Sequence, residues 1–225
     1  MIKDPFDIDF GDDEPVREAA VDLSAEPTKK KESKPMLLIV RHGNTFEPGE
    51  PPRRIGARTD LPLTSEGRAQ IAQLRNVLEK MNMMPKRIYS GPLQRTAQTA
   101  AILSPSYEVL EFLREIYHGM DENKTEDVVL KNVGRTAMEA WERDGKLPPG
   151  WTADILGIRQ GWAGLRKLCK DNGETWCAVT SNGIARFAFD GVENAPADKK
   201  LSCGAFGVLV YTDGKWICQG WNLKP

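Results

Sequence analysis

Short apolar runs alternate along this chain with stretches of helical periodicity, and that alternation limits the folds open to it. Met36-Leu-Leu-Ile-Val40, Arg87-Ile-Tyr-Ser90, Val109-Leu-Glu-Phe-Leu113 and Trp176-Cys-Ala-Val-Thr180 have the length and the β-branched or aromatic content of strands. Between them lie helical patterns. Ser65 to Met81 carries Ile71, Leu74, Val77, Leu78 and Met81 at helical spacing, with Thr64 as its N-cap. Gly91-Pro92 opens a helix over Leu93 to Leu103. Thr125 to Arg143 reads as one weakly patterned helix, which Lys146-Leu-Pro-Pro-Gly150 breaks. Ala153 to Lys170 places Ile155, Ile158, Trp162, Leu165 and Leu168 on one face, and Ile184 to Phe189 begins a short helix. Phe206 to Tyr211 and Trp216 to Trp221 flank Asp213-Gly214, a hairpin turn signal. Together these patterns predict an α/β domain with three layers, α/β/α, around a mostly parallel central sheet, and an antiparallel C-terminal hairpin at its edge.

The domain is expected over residues 36–225. Residues 1–35 read as a disordered N-terminal tail, acidic at Asp12-Asp-Glu14, basic at Lys29-Lys-Lys31, and too poor in large apolar residues to offset the entropy of ordering. Phe6, Ile8 and Phe10 alternate with acids there, which leaves open a weak docking motif or a plain solvated leader. A net charge of -1 gives no field for nucleic acid or an anionic membrane, and no apolar run is long enough to span a bilayer. Residues 1–10 lack the apolar stretch of a secretory signal. Cys169, Cys177, Cys203 and Cys218 form no Cys-x-x-Cys, and the chain has only two histidines, so neither a metal site nor a cofactor is expected. Packed, reduced thiols suit a cytoplasmic protein.

Polar residues follow the strands abruptly. Arg41, His42 and Gly43 end the first; Glu115 and His118 follow the third; Ser181 and Asn182 follow the fourth; Arg95 lies in the first turn of a helix just past the second. In an open α/β sheet the carboxyl ends of the strands border the ligand crevice, so these residues are placed to converge. Arginine offers a planar fork for phosphate or carboxylate, and histidine can act as nucleophile or proton carrier. Taken singly each has a plainer reading: Arg41-His-Gly43 as a surface turn, Glu115 as a salt-bridge partner of Arg114 or Lys124, His118 as a packed or solvated loop residue.

Val40-Arg-His-Gly-Asn-Thr45, Asp60-Leu-Pro-Leu-Thr64 with Gly67 and Gln70, Leu93-Gln-Arg-Thr-Ala-Gln-Thr-Ala100, and Glu115 with Gly119 and Glu122 occur in this order. Jointly they resemble the histidine phosphatase, or phosphoglycerate mutase-like, superfamily from about Met36 to Arg186. The resemblance implies a metal-independent phosphomonoesterase that works through a phosphohistidine on His42. It implies that Arg41 and Arg95 hold the phosphoryl oxygens. It also implies that Glu115 protonates the leaving oxygen and later deprotonates water, with Asp121 and Glu122 helping to raise its pKa. Asn44, Thr45 and Asn182 are the candidate substrate-binding residues. The partner is a small-molecule or protein phosphomonoester, with a homodimer left open.

The sequence departs from the family pattern in two places. The second family histidine is followed by glycine and, five positions on, often by arginine; counting back from Arg186 puts Ser181 there. A family asparagine is replaced by Pro48, with Asn44 as a stand-in. The lost histidine keeps alive an alternative reading, a weak or inactive pseudophosphatase that binds phosphate ligands or proteins. A mutase is disfavoured, since Glu122 to Trp151 lacks the adjacent arginine pair of the family's mutases.

Overall fold

The computed structural model describes residues 34–225. Residues 1–33, which include most of the expected tail and the Phe6, Ile8, Phe10 pattern, lie outside the described residues. In chain order the elements are β1 (Met36–Arg41), β2 (Arg53–Arg54), α1 (Ser65–Lys80), β3 (Arg87–Ser90), α2 (Gln94–Leu103), β4 (Glu108–Val109), β5 (Lys124–Thr125), α3 (Glu126–Val133), α4 (Arg135–Asp144), α5 (Ile155–Asn172), β6 (Thr175–Thr180), α6 (Asn182–Ala185), β7 (Val192–Glu193), β8 (Phe206–Thr212) and β9 (Lys215–Leu223).

Seven strands form one sheet in the order β4-β3-β6-β1-β8-β9-β7. β1, β3, β4 and β6 pair in parallel; β8 runs antiparallel to β1 and β9, and the short β7 follows beyond β9. β1 shows why the sequence adopts this arrangement. Its middle residues are fully buried, and they alternate between two cores: Leu37 and Ile39 join Trp141, Trp162 and Phe187, whereas Leu38 and Val40 join Ile71, Leu74 and Leu103. A strand covered on both faces reads as a continuous apolar run, as this one does. α1 and α2 therefore cover one face, and α4 and α5 the other, giving the three expected layers.

The helix caps follow local chemistry. The Thr64 hydroxyl accepts from the Gly67 N–H at 3.0 Å, and an Asp154 carboxylate oxygen accepts from Gly157 N–H at 2.9 Å. The hairpin turns at Asp213 and Gly214, both at positive φ (52° and 82°), as a tight two-residue turn requires.

Three elements differ from expectation. The helix read over Thr125 to Arg143 is two helices, because Gly134 sits at φ +81° between them. The strand read over Val109 to Leu113 pairs only at Glu108–Val109 and then tightens into a 3₁₀ turn at Glu111–Leu113. The Leu113 carbonyl is taken by the Thr180 hydroxyl at 2.8 Å rather than by a neighbouring strand, which carries the chain inward toward Glu115. The Pro/Gly-rich segment after Phe46 contributes β2, paired with β5 in a separate two-stranded sheet. Among the described residues no helix is long and apolar enough to cross a membrane.

Candidate active site

The carboxyl ends of β1 and β6 meet the segment after Leu113 around one cavity of about 400 Å³. Arg41, His42, Asn44, Thr45, Glu115, His118 and Asn182 all line it, so most of the residues singled out in the sequence come together. The approach of α1 to the end of β1 fixes the entry geometry. A Cβ on Gly43 would lie 2.5 Å from the Gly67 carbonyl oxygen, so only glycine lets the two backbones meet there.

His42 is 2 % exposed. Its Nδ1 lies 2.8 Å from the carbonyl oxygen of Gly43, so Nδ1 carries the proton and donates it, which leaves the lone pair on Nε2. Burial, and then the positive charges of Arg95 and Arg41, hold its pKa well below the ordinary histidine value, so the ring is neutral. Arg41 donates from Nη1 to the Leu201 carbonyl at 2.7 Å. Arg95 is fully buried, does not line the cavity, and donates to the carbonyls of Thr59 at 2.7 Å and Gly56 at 3.1 Å. Both guanidiniums keep a buried Nε–H with no acceptor among the described residues.

Glu115 is buried and receives the Ile116 N–H at 3.0 Å and the Gly183 N–H at 3.2 Å. The surface salt bridge considered for it does not form, because Arg114 pairs with Glu111. Asp121 and Glu122 are engaged elsewhere. The Asp121 carboxylate accepts from Trp151 Nε1 and Asn132 Nδ2, each at 2.8 Å, and Glu122 accepts from the Arg58 and Thr59 N–H groups at 2.6 and 2.5 Å. Glu122 thereby braces the loop whose carbonyls hold Arg95. Asn44 uses its side chain within its own turn, accepting from Thr45 N–H at 2.9 Å and donating to the Phe46 carbonyl at 2.9 Å.

At the exit of β6 the two adjacent polar residues part company. Ser181 is buried, its hydroxyl has no partner among the described residues, and it does not line the cavity. Asn182 does line it, with Oδ1 accepting from the Leu201 N–H at 2.8 Å. Gly183, which follows Asn182, lines the cavity as well, and its N–H is taken by Glu115 at 3.2 Å.

Sequence reasoning missed Arg53, Arg54, Lys200 and Cys203, which also line the cavity. Arg53 pairs with Glu50, and Arg54 with Glu126. The Lys199-Lys200 pair was visible, but the segment around it has no periodicity to place it. Among the described residues no group of three or more His, Cys, Asp or Glu side chains could hold a metal ion.

His118 stacks edge-on against Trp151, ring centroids 4.4 Å apart, and burial followed by the charges of Arg54 and Arg95 pushes its pKa down to about 3. The sign of the consequence follows from linkage. Between pH ~6.5 and 3 the unfolded chain binds a proton at His118 that the folded protein refuses, so stability falls as pH falls below ~6.5, by up to about 1.4 kcal/mol per pH unit. His42, also depressed, acts in the same direction. The urea-unfolding free energy of the wild type should therefore drop between pH 6.5 and 5, and His118→Phe should roughly halve that slope. An unchanged slope in the variant would mean that His118 charges in the folded state.

An α/β sheet that brings a neutral histidine, an arginine and a carboxylate to one cavity, with a second arginine buried close enough to act on the histidine, suits phosphoryl chemistry. The chain belongs to the histidine phosphatase superfamily (branch 1), whose family model matches residues 37–224. Among curated relatives it is similar to the probable phosphoglycerate mutase GpmB of Enterobacter sp. (strain 638). The two are 26% identical over 208 residues, which span 84% of this chain and 90% of the relative. Among solved structures it matches mycobacterial hydrolase 1, with a TM-score of 0.70 and 20% identity, over 84% of this chain and 99% of that one. It also matches the phosphoserine phosphatase of Entamoeba histolytica, solved with 3-phosphoglyceric acid. Here the TM-score is 0.65 and the identity 21%, over 84% of this chain and 97% of that one. These structures share the fold.

Proposed function

We propose that this chain is a phosphomonoesterase that passes the phosphoryl group of its substrate to His42 and then to water. The observation that carries the reading is the state of His42. It is neutral, its Nδ1–H is engaged by Gly43, and its remaining nitrogen is free at the wall of a cavity shared with Arg41 and Glu115. In the first step Nε2 attacks phosphorus in line; the N–P bond forms as the ester oxygen departs with a proton from Glu115. In the second, Glu115 takes a proton from water, the water oxygen bonds to phosphorus, and the N–P bond breaks to return neutral His42 and inorganic phosphate. Arg41, at the cavity wall, stabilises the charge on the equatorial oxygens, and the buried charge of Arg95 adds to the same field from outside the lining. No step calls on a metal.

Hydrolysis is favoured over mutase chemistry by the wall that α3 and α4 contribute. It consists of Glu126, Met138, Trp141 and Glu142, while Lys131 and Arg135 of the same segment do not line the cavity. Glu126 is neutralised by Arg54 and Glu142 by Arg186, so this wall offers no unpaired cation of its own to a second anionic group such as that of a phosphoglycerate.

The test is a panel of phosphomonoesters assayed in the presence of a chelator, with rapid acid-free quenching to trap acid-labile phosphate on the protein. Turnover with a phosphohistidine that forms and decays at a competent rate is the expected result. Neither hydrolysis nor phosphoprotein across the panel would overturn the reading in favour of a binding protein.

A further inference from the structure

A phosphoryl group in transfer carries charge on three equatorial oxygens, so a competent site surrounds it with donors on more than one side. On the His42 side the charges are Arg41 and Arg95. Where α6 begins, Asn182 and Gly183 line the cavity; the Asn182 amide bears no net charge, and its oxygen is already committed to the Leu201 N–H at 2.8 Å. That bond orients the amide, leaving Nδ2 as a neutral donor.

The residue before Leu201 is Lys200, and it too lines the cavity. Its backbone is held on both sides: its N–H donates to Asp198 Oδ1 at 2.8 Å, and its carbonyl accepts from Trp221 Nε1 at 3.1 Å. The same loop is tied to the nucleophile's strand. Arg41 Nη1 bonds the Leu201 carbonyl at 2.7 Å, Gly204 N–H bonds the His42 carbonyl at 3.0 Å, and Arg41 N–H bonds the Ala205 carbonyl at 3.0 Å. Lys200 is thus fixed at its root against Arg41 and Asn182 while its side chain stays exposed. Of the cations that line the cavity, Arg53 and Arg54 are paired with carboxylates and Arg41 with a carbonyl. The Lys200 ammonium has no hydrogen-bond or ion-pair partner among the described residues.

We propose that Lys200 is a catalytic residue of this site, its ammonium binding the transferring phosphoryl group on the side where Asn182 offers only a neutral amide. The proposal rests on the phosphomonoesterase reading. A cation on a long flexible stem suits this task, because it can follow the phosphorus as it moves between leaving oxygen, His42 and water.

The experiment titrates orthovanadate, a phosphoryl-transfer probe, into the full-length wild type and the Lys200→Met and Lys200→Arg variants. Thermal melts and single-turnover phosphoenzyme formation accompany the titrations. The expected result is a loss of vanadate affinity of tenfold or more in Lys200→Met, a parallel fall in the rate of phosphoenzyme formation, recovery of most of both in Lys200→Arg, and unchanged melting temperatures. Vanadate affinity in Lys200→Met within twofold of the wild type would overturn the proposal while leaving the phosphomonoesterase reading intact. A loss that arginine does not restore, or that comes with a lowered melting temperature, would also overturn it, in favour of a role in loop structure. A wild type that binds no vanadate would sink the phosphomonoesterase reading itself, and Lys200 with it.

Discussion

His42→Ala is expected to remove phosphoenzyme formation and to lower phosphomonoester turnover by about 10³-fold or more, with the fold retained. The size of the effect follows from chemistry. No other side chain at the cavity offers a neutral imidazole nitrogen except His118, and that ring follows Glu115 in sequence and packs on Trp151. The small structural effect follows from geometry. The imidazole makes one hydrogen bond, to the adjacent Gly43 carbonyl, and it borders a cavity already about 400 Å³ in volume, so its removal enlarges an open space rather than opening a void in the core. Rapid-quench trapping with a phosphomonoester that the wild type hydrolyses measures this directly. A variant that kept more than about one hundredth of the wild-type rate would require another nucleophile.

How much of this was legible in the sequence depended on whether a residue's position is set locally or by tertiary contacts. β1 was readable because burial on both faces leaves a continuous apolar run, and the site residues at its end were readable because a strand's exit is itself a local feature. Glu115 was readable as part of a polar cluster after an apolar run and through that segment's resemblance to the family's acid loop. Which of Ser181 and Asn182 lines the cavity was not, because it turns on where within a few residues the chain leaves β6 and enters α6. The helix break at Gly134 was missed because a lone glycine within a helical pattern is often tolerated, whereas here it adopts φ +81°. Lys200 was out of reach for a different reason. Its segment has no period, and what brings it to the site is a set of backbone hydrogen bonds to Asn182, Trp221 and the end of β1, none of which leaves a trace in spacing.

The second large effect is expected at Arg95, where catalysis and structure share one side chain. Arg95→Ala removes a fully buried cation and strands two carbonyl acceptors, those of Thr59 and Gly56, on the loop that Glu122 braces from its other side. Loss of the charge should cost about 2–4 kcal/mol of transition-state stabilisation, or roughly 30- to 1000-fold in kcat/KM. Loss of the two hydrogen bonds should cost about 2–4 kcal/mol of stability. Glu122→Gln separates the two. It weakens the brace by trading a carboxylate that accepts two backbone N–H groups and the Thr59 hydroxyl for a neutral amide, yet it leaves the guanidinium in place. The expected outcome is a Glu122→Gln protein destabilised by about 1–2 kcal/mol in urea but within tenfold of wild-type kcat/KM, and an Arg95→Ala protein impaired in both. If the two variants lost activity equally, Arg95 would be acting on phosphate only through the loop it holds, and the clamp would reduce to Arg41 on that side of the cavity.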